Sequence, residues 1–568
     1  MLAGGCSLQK YLTWADDDAY ETIQKNDHNA LGRDSKFDVA YQPLGAAGNS
    51  ITLPNKTIPL YNAKPAGISF DDVIYIALRN SRDYQRQKET LFREALALAA
   101  ERRSWDLPAH GGGVGGEGEI AKPLGQNSTA SVAAVAAEPT LTQRFVHGGI
   151  LTLGVALNVA TDFLGSDSFA VGSMIDANFT QPLLRGAWNH IAFEPLYRSQ
   201  RDFEFAVFEF NRYRQTFTVG IVRKYLAVLE RRDRLENENA NIKGLEQTRN
   251  LTRVLADGGQ VSRIESDQAE QRLLNARISL ATQTQAYQNA VDELKIAIGL
   301  PIRANVEPAY PDALKELEKF KPAKGDVPFD ETKAIGYALA ARPDVLTERA
   351  TLRDAQRNME LAADDFLPKL DFEAGFSMTS GPGGNDFTRY SKSRNARYAR
   401  LVLDYDFDQT DNRNAYRNAL LNLLDTQRSY DLFLDQVRLE VRQNYRKLEQ
   451  SRQTFALQTA AVEIAKRNRA LSALQQREGQ ASARDVLDAE ENLRDALNGL
   501  TRALVEYTNT RLDLFASLGL VQVNDGGKLA EAKTPEQSDR LQKRYPYTSG
   551  TFDPKADKTK VLDDEGGE

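Results

Sequence analysis

Two kinds of hydrophobic periodicity alternate along this chain. Long stretches rich in Ala, Leu, Arg and Glu, almost free of Pro and Gly, predict α-helices. Strict alternation of apolar and polar residues predicts β-strands. The predicted helices are 68–104, 190–256, 262–298, 332–365, 410–476 and 483–517, and the predicted strands are about 148–163, 168–181, 369–379 and 397–408. The order helix, strand, strand, helix therefore occurs twice.

The two halves of the chain also share residues. The segment Gly-Gln-Val-Ser at 259–262 recurs as Gly-Gln-Ala-Ser at 479–482, and further identities follow in the helices behind each segment. A self-match at a fixed offset is the mark of a repeat architecture. The sequence thus predicts a tandem duplication, with a first repeat over 67–300 and a second over 332–520.

Four segments do not fit the repeating pattern. Residues 1–66 contain several prolines and predict an extended N-terminal arm, and the proline-rich residues 301–331 predict a linker between the repeats. Residues 521–568 are polar and predict a disordered tail. Residues 109–140 predict a loop. Its glycines match G-x-G-x-x-G, but no apolar strand precedes them, so a flexible loop is favoured over a phosphate site.

The predicted strands have one apolar and one polar side. Leu401 and Leu403 alternate with Val402 and Asp404, and Asp406 continues the polar row. A half-buried sheet in a soluble protein has this pattern, and so does a transmembrane barrel with a water-filled interior. Four strands are too few to close a barrel alone. A barrel would have to be assembled from several chains.

The two longest helices favour the assembled structure. At 1.5 Å per residue, each of the helices 190–256 and 410–476 would extend roughly 100 Å, far beyond the length usual in globular domains. Apolar residues recur at a spacing of seven along the second of them, at Val441, Leu448, Phe455 and Val462. This spacing predicts left-handed coiling against neighbouring helices.

Composition excludes several classes of function. The net charge of -7 does not provide the basic surface that nucleic-acid binding requires. No apolar run is long enough for a transmembrane helix, so insertion into a membrane would have to use strands. The four histidines lack ligand spacing and the single cysteine cannot form an internal disulfide. Neither a metal nor a cofactor is expected.

The cysteine itself suggests a lipid anchor. Met-Leu-Ala-Gly-Gly-Cys at the start of the chain is similar to the end of a bacterial lipoprotein signal, in which small residues precede the acylated cysteine. Leu2 lies one place further from Cys6 than in the usual pattern, and no charged and apolar signal region precedes it. Lipidation of Cys6 is predicted, with an ordinary thiol as the alternative.

Several short motifs, in this order and spacing within the repeats, resemble those of the TolC-type outer-membrane efflux proteins. They are Gln-Pro-Leu-Leu-Arg-Gly at 181–186, Arg-Pro-Asp-Val at 342–345, Phe-Leu-Pro-Lys-Leu at 366–370, and Asp-Val-Leu-Asp-Ala at 485–489. The resemblance covers roughly residues 66 to 520. It implies a mainly α fold with a β-barrel part. Each chain of a homotrimer would form one third of a 12-stranded outer-membrane β-barrel, continued by a 12-helix periplasmic α-barrel.

The resemblance also implies functional residues. Asp485 and Asp488 match the family's Asp-x-x-Asp at the periplasmic constriction, and residues three apart share one face of a helix. The alternative is an ordinary solvated helix face. Where some family members hold the entrance shut with an arginine, this chain has Ala481; Arg477 and Arg484 are candidates to replace it. The expected docking residues for a periplasmic adaptor are Gly259, Gln260, Ser262, Gly479, Gln480 and Ser482.

The function implied by the resemblance is a passive exit duct. The duct would carry cargo from an inner-membrane transporter and its adaptor through the lipid of the Gram-negative outer membrane. No nucleophile, base and orienting group occur in a recognisable arrangement, so no enzyme is predicted. A soluble coiled-coil scaffold is the alternative function. Drugs, metal ions, polysaccharide and secreted protein are all open as cargo.

Overall fold

The computed structural model divides the chain into two compact units. The sheet unit comprises residues 1–43, 79–213 and 351–433, and the helical unit comprises residues 44–78, 214–350 and 434–568. The residues that the structure describes are 8–31, 37–41, 43–44, 50–53, 56–62, 64–105, 109–110, 114–121, 130–137, 140–162, 169–322, 327–380, 390–478, 480–524 and 527–531.

Helices account for most of the described residues. The helices are α1 Leu8–Leu31, α2 Phe70–Asn80, α3 Arg82–Trp105, α4 Asn189–Ala192, α5 Glu194–Asp257, α6 Arg263–Ala297, α7 Asp312–Leu317, α8 Glu331–Ala341, α9 Pro343–Asp364, α10 Thr410–Arg477 and α11 Ala483–Ser517. The strands are β1 Ser50–Thr52, β2 Thr57–Pro59, β3 Ala66–Ile68, β4 Ala109–His110, β5 Val114–Ala121, β6 Ala130–Ala137, β7 Thr140–Arg144, β8 Ile150–Asp162, β9 Phe169–Pro182, β10 Val306–Pro308, β11 Lys369–Ser380, β12 Tyr390–Asp404, β13 Val521–Val523 and β14 Leu529–Glu531.

The sheet unit has one antiparallel sheet whose four long strands lie in the order β12-β11-β9-β8. Residues paired directly across neighbouring strands lie on the same face. The register therefore puts one apolar row from each strand on a common face. These rows are Ala399, Leu401 and Leu403; Leu370, Phe372, Ala374 and Phe376; Ile175, Ala177 and Phe179; and Leu151, Leu153 and Val155. Leu401 and Leu403 are 65% and 67% exposed, so this apolar face is open in the single chain.

The opposite face of the sheet is polar. The Arg400 guanidinium forms an ion pair with Glu373 at 2.7 Å, and the Tyr398 hydroxyl donates to the Asn178 side chain at 3.2 Å. The Tyr398 ring covers Gly375, where any Cβ would overlap the ring. The four strands thus separate an apolar face from a charged and hydrogen-bonded one.

The predicted loop at 109–140 is wrong where the structure describes it. Strands β4, β5, β6 and β7 lie there, and the sheet has eight strands in the described residues. β6 and β7 pair antiparallel with β8, and β5 pairs with β6. Gly and Ala have low β-propensity, so composition indicated a loop. The edge of β8 supplies the hydrogen bonds that stabilise these strands.

In the helical unit α11 packs against both neighbouring helices of the first repeat. A buried cluster joins α5, α6 and α11 through Ile242, Leu245, Ala269, Leu273, Ala276 and Leu487. Polar contacts accompany this core. Thr501 donates to the buried Asp233 carboxylate at 2.5 Å, and Ser451 and Thr510 join α10 to α11 at 2.9 Å. α11 therefore contacts α5, α6 and α10.

The segment between the repeats is attached to the same helices. The Tyr310 hydroxyl donates to Asp233 at 3.1 Å, and the Tyr287 hydroxyl donates to Glu307 at 2.9 Å. Burial, with the nearby Asp233 carboxylate, raises the pKa of Tyr310 to about 12. Burial and the hydrogen bond to Glu307 raise the pKa of Tyr287 as well, so both phenols remain neutral donors at physiological pH. β10 of this segment pairs parallel with β3.

Two of the predicted helices are each divided into two. The span 68–104 is interrupted at Ser81 between α2 and α3, and the span 332–365 is interrupted at Arg342 between α8 and α9. Arg342 has an extended backbone with φ -70° and ψ 124°. Pro343 explains this, since the residue before a proline avoids the helical region while proline itself suits the first helical position.

Predictions for the chain ends and the fourth strand also need correction. The expected N-terminal arm contains the helix α1, which buries Ala19, Thr22 and Ile23 at helical spacing. The expected tail begins with the hairpin β13–β14, whereas residues 532–568 lie outside the described part. The strand expected over 397–408 is Tyr390–Asp404. It ends early because Asp408 accepts a hydrogen bond from the Thr410 amide at the start of α10.

Candidate functional site at the interhelical turns

The turns between α5 and α6 and between α10 and α11 have the same backbone hydrogen bond. The Gln260 amide donates to the Leu255 carbonyl at 2.9 Å, and the Gln480 amide donates to the Gln475 carbonyl at 2.8 Å. Gly259 has φ +73°, which glycine adopts without strain at a helix C-terminus. The repeated Gly-Gln-x-Ser segment therefore encodes a tight helix-to-helix turn.

Each turn ends in a serine that begins the next helix, but the two caps differ. The Ser262 hydroxyl accepts from the Ile264 amide at 3.1 Å. Ser482 forms a full capping box: its hydroxyl accepts from the Asp485 amide at 3.3 Å, and its own amide donates to the Asp485 carboxylate at 2.9 Å. The Ser482 hydroxyl also donates to the Asp485 carboxylate at 2.7 Å, and this bond, together with the one from the Ser482 amide, lowers the pKa of Asp485 below its ordinary value.

Removing the Ser482 hydroxyl should loosen the start of α11. We expect Ser482→Ala to speed hydrogen exchange of the Asp485 amide roughly three- to fivefold, because the hydroxyl accepts from that amide and also donates to the Asp485 carboxylate. Ser262→Ala is the matched control, and exchange at the start of α6 should change less. Equal changes at the two turns would contradict a special role for the box.

Because the pKa of Asp485 is lowered, the capping box at the start of α11 should be weaker at acidic pH than at neutral pH. The box is fully formed above the ordinary carboxyl pKa of about 4 and is lost as the pH falls through the lower folded-state value. Acid should therefore speed exchange at the start of α11 in the natural chain. In Ser482→Ala this acid effect should be smaller, because the hydroxyl bond to the Asp485 carboxylate is lost while the bond from the Ser482 amide remains.

The two turns lie side by side. A cavity of about 210 Å³ has walls from both of them: Thr252, Leu255, Gln260, Val261 and Glu265 from the first repeat, and Gln476, Ala481, Ser482 and Ala483 from the second. The structure thus brings Gln260 and Ser482, both predicted docking residues, to one place. Ala481 also lines this cavity.

The acidic pair has two distinct roles within the chain. Asp485 belongs to the cap, whereas the Asp488 carboxylate lies 2.6 Å from the Arg272 guanidinium and 4.0 Å from that of Arg484. Both carboxylates reach solvent. The assignment of this pair to a pore constriction stays a prediction, and Asp488 is an ion-paired rather than an isolated charge.

Arg272 is the residue of this site that sequence reasoning missed. It lies on α6 and contacts two acids of α11, since the Glu491 carboxylate is 3.2 Å away in addition to Asp488. Its pairs therefore join the two repeats. The corresponding position of the second repeat is Asn492, so the repeat itself contained no signal for this contact.

Some predicted residues lie outside this description. Cys6 and Gly479 are outside the described residues, and the side chain of Arg477 is too. Within the described part of the chain, no cluster of His, Cys, Asp or Glu could hold a metal ion. No helix among the described residues is both long and apolar enough to cross a membrane.

Comparison with known proteins agrees with the predicted resemblance. Residues 334–520 match the model of the outer membrane efflux protein family. The chain is 25% identical over 330 residues to the pyoverdine export outer membrane protein OpmQ of Pseudomonas aeruginosa, over 55% of this chain and 62% of that protein. The chain thus spans less than two thirds of the length of this relative.

Solved structures share the fold. The Campylobacter jejuni CmeC outer membrane channel has a TM-score of 0.58 at 16% identity, over 84% of this chain and 89% of CmeC. The open state of the Neisseria gonorrhoeae MtrE outer membrane channel has a TM-score of 0.58 at 15% identity, over 84% of this chain and 97% of MtrE. The Vibrio cholerae outer membrane protein VceC also has a TM-score of 0.58, at 14% identity, over 79% of this chain and 96% of VceC.

The sheet with one exposed apolar face and the long helices give this chain the same fold as these solved outer membrane channels. The chain is similar to the outer membrane efflux protein family over residues 334–520. Its place is the outer membrane of a Gram-negative bacterium, with a large periplasmic part. The family consists of channels and not enzymes. The family resemblance predicted from the sequence is confirmed.

Proposed function

We propose that three copies of this chain form an exit duct through the outer membrane. Each copy contributes β8, β9, β11 and β12 to a 12-stranded barrel, and its long helices to a 12-helix barrel in the periplasm. The duct passively conducts cargo from an inner-membrane transporter and its periplasmic adaptor. The observation that carries this proposal is the apolar face that runs in register across four strands, with charged residues opposite.

Exposed apolar positions on α10 support contact between copies. Leu457, Ile464 and Leu471 are spaced by seven and are 72%, 52% and 53% exposed. On α6, Leu274 and Ile278 are also exposed. Stripes of this spacing are typical of coiled-coil seams. A second copy is the partner whose helices would cover them.

The interhelical turns are the proposed docking surface for the adaptor. Gln260 of the first turn and Ser482 of the second line one cavity, and Gly259, Ser262 and Gln480 belong to the same two turns. Three chains would present six such turns. We propose Asp485 and Asp488 as the acidic ring at the constriction, where carboxylates attract cations.

The oligomeric state and the conductance of the purified protein test the proposed duct. The natural chain should elute as a trimer in detergent and produce single-channel currents in planar bilayers. Leu457→Glu should reduce the trimer fraction by about tenfold, because a charge is buried at a helix seam. Thr459→Glu, on nearly the opposite side of α10, is the matched control and should stay trimeric. A monomer that needs no detergent and conducts no current would favour the coiled-coil scaffold instead.

A pyoverdine-like cargo has one specific support. The relative OpmQ is a pyoverdine export protein. We propose a small organic cargo of that kind as the first one to test. Export by cells with and without this chain, measured in the growth medium, distinguishes it from metal ions, polysaccharide and protein.

A further inference from the structure

The helical hairpins α5–α6 and α10–α11 are equivalent at an offset of 220 residues. Arg249 and Glu270 of the first hairpin correspond at this offset to Arg469 and Glu490 of the second. In both hairpins the arginine of the long helix pairs with the glutamate of the short helix, at 3.2 Å in the first and 2.7 Å in the second. The offset therefore matches residues that have the same place in the fold.

Within one chain, α5 contacts α11 through polar side chains. The Asn237 side chain donates to that of Asn498 at 2.9 Å, and the Glu238 carboxylate lies 3.8 Å from the Arg494 guanidinium. We call this contact the inner seam. A polar pair between two helices fixes their register and their choice of partner, because either member alone would be buried without a hydrogen bond.

The equivalent residues of the other repeat are apolar. At the offset of 220, Asn237 corresponds to Leu457 and Asn498 corresponds to Ile278. Leu457 and Ile278 are both exposed in the single chain, so they do not cover each other as the two asparagines do. Two further exposed apolar residues stand where the inner seam has a small or charged one: Ile464 for Gly244 and Leu274 for Arg494.

We infer that contacts between copies repeat the geometry of the inner seam: α10 of one copy packs against α6 of the next, with Leu457 facing Ile278. The partner of these exposed residues is a second copy of the same chain. The inference rests on the trimer proposed above and gives the residue pairing between its helices. Three inner seams and three such outer seams would alternate around the 12-helix barrel.

The difference between the two seams also sorts the helices. If α5 packed against α6 of another copy, Asn237 would face Ile278 and its amide would lose its hydrogen bond. If α10 packed against α11 of another copy, Leu457 would face Asn498 with the same loss. Two similar repeats therefore have one favoured arrangement, in which polar residues pair within a chain and apolar residues pair between chains.

Cross-linking with a short bismaleimide tests this pairing. Leu457→Cys with Ile278→Cys is placed in a Cys6→Ser background, because Cys6 is the single cysteine of the chain. This variant should give a covalent trimer on a denaturing gel, since each link joins two copies. Asn237→Cys with Asn498→Cys is the matched control and should link within one chain, so its mass should stay that of a monomer.

A second set of variants tests the pairing without cross-links. Leu457→Asn should reduce the trimer fraction in detergent by about tenfold, because its amide is buried against an apolar residue. Adding Ile278→Asn should restore the fraction to within about threefold of the natural chain, since the two amides can pair as Asn237 and Asn498 do. Adding Ile278→Ala instead should restore nothing, because alanine has no hydrogen-bonding side chain.

The outcomes separate this inference from the trimer itself. A trimeric Cys6→Ser parent whose Leu457→Cys, Ile278→Cys variant stays monomeric on the denaturing gel would overturn the pairing, and the exposed face of α10 would then belong to another partner such as the adaptor. Equal trimer fractions after Ile278→Asn and Ile278→Ala would also overturn it. If the parent and the natural chain are both monomeric in detergent, the proposed duct fails and the inference fails with it.

Discussion

Replacing Arg342 with methionine is expected to lower the free energy of unfolding of the helical unit by about 2 kcal/mol. The Arg342 side chain is only 5% exposed and pairs with Asp344 at 2.7 Å and Glu440 at 2.6 Å. Burial lowers the pKa of the guanidinium, but its bonds to the two carboxylates outweigh burial and raise the pKa overall. Methionine keeps the apolar part of the side chain and leaves both acids without this partner.

Denaturant unfolding, followed by circular dichroism, measures the change. Arg438→Met is the matched control, because Arg438 pairs with Asp435 at the surface of α10 and is 41% exposed. Exposed pairs of this kind contribute about 0.5 kcal/mol or less. Equal losses of unfolding free energy in the two variants would show that the burial of Arg342 does not contribute to stability.

We propose that the pairs of Arg272 with Asp488 and Glu491 hold the entrance of the proposed trimer closed, and we expect Arg272→Ala to favour its open state by about a hundredfold. Each exposed ion pair contributes about 0.5 kcal/mol, and the pairs with Asp488 and Glu491 in three chains together contribute about 3 kcal/mol. The freed carboxylates would also repel one another. Single-channel recordings should show longer open times and a stronger preference for cations.

Arg277→Ala is the control for this variant. Arg277 lies on the same helix and pairs with Glu246 at 2.9 Å, but both residues belong to the first repeat. Loss of this pair leaves α11 untouched, so open times should be unchanged. Currents that respond equally to both substitutions, or to neither, would exclude Arg272 as a restraint between the repeats.

Local pattern was sufficient to predict the type of the long helices and of the four long strands, but not of β4 to β7. The spacing of apolar residues distinguishes α10 from β11 because helices and strands have different side-chain periods. The break at Arg342 was also encoded, since Pro343 follows it directly. The signal at Ser81 is weaker, because no proline follows it.

Tertiary contacts explain what local pattern could not predict. β5 and β6 consist mainly of Gly and Ala, and their strand conformation depends on an edge that lies elsewhere in the sequence. Arg272 meets Asp488 across more than two hundred residues, with no counterpart in the second repeat. The acid pair was found through the family motif, whereas its partners required the packing of α6 against α11.

The two unlike serine caps limit how far the duplication can imitate true sixfold symmetry. Ser482 closes a box with Asp485, whereas Ser262 makes a simple cap. In the proposed trimer, three helical hairpins closed by a capping box would alternate with three that have a simple serine cap. Adaptor molecules that dock on the proposed six turns would therefore meet two non-equivalent binding sites, three of each kind.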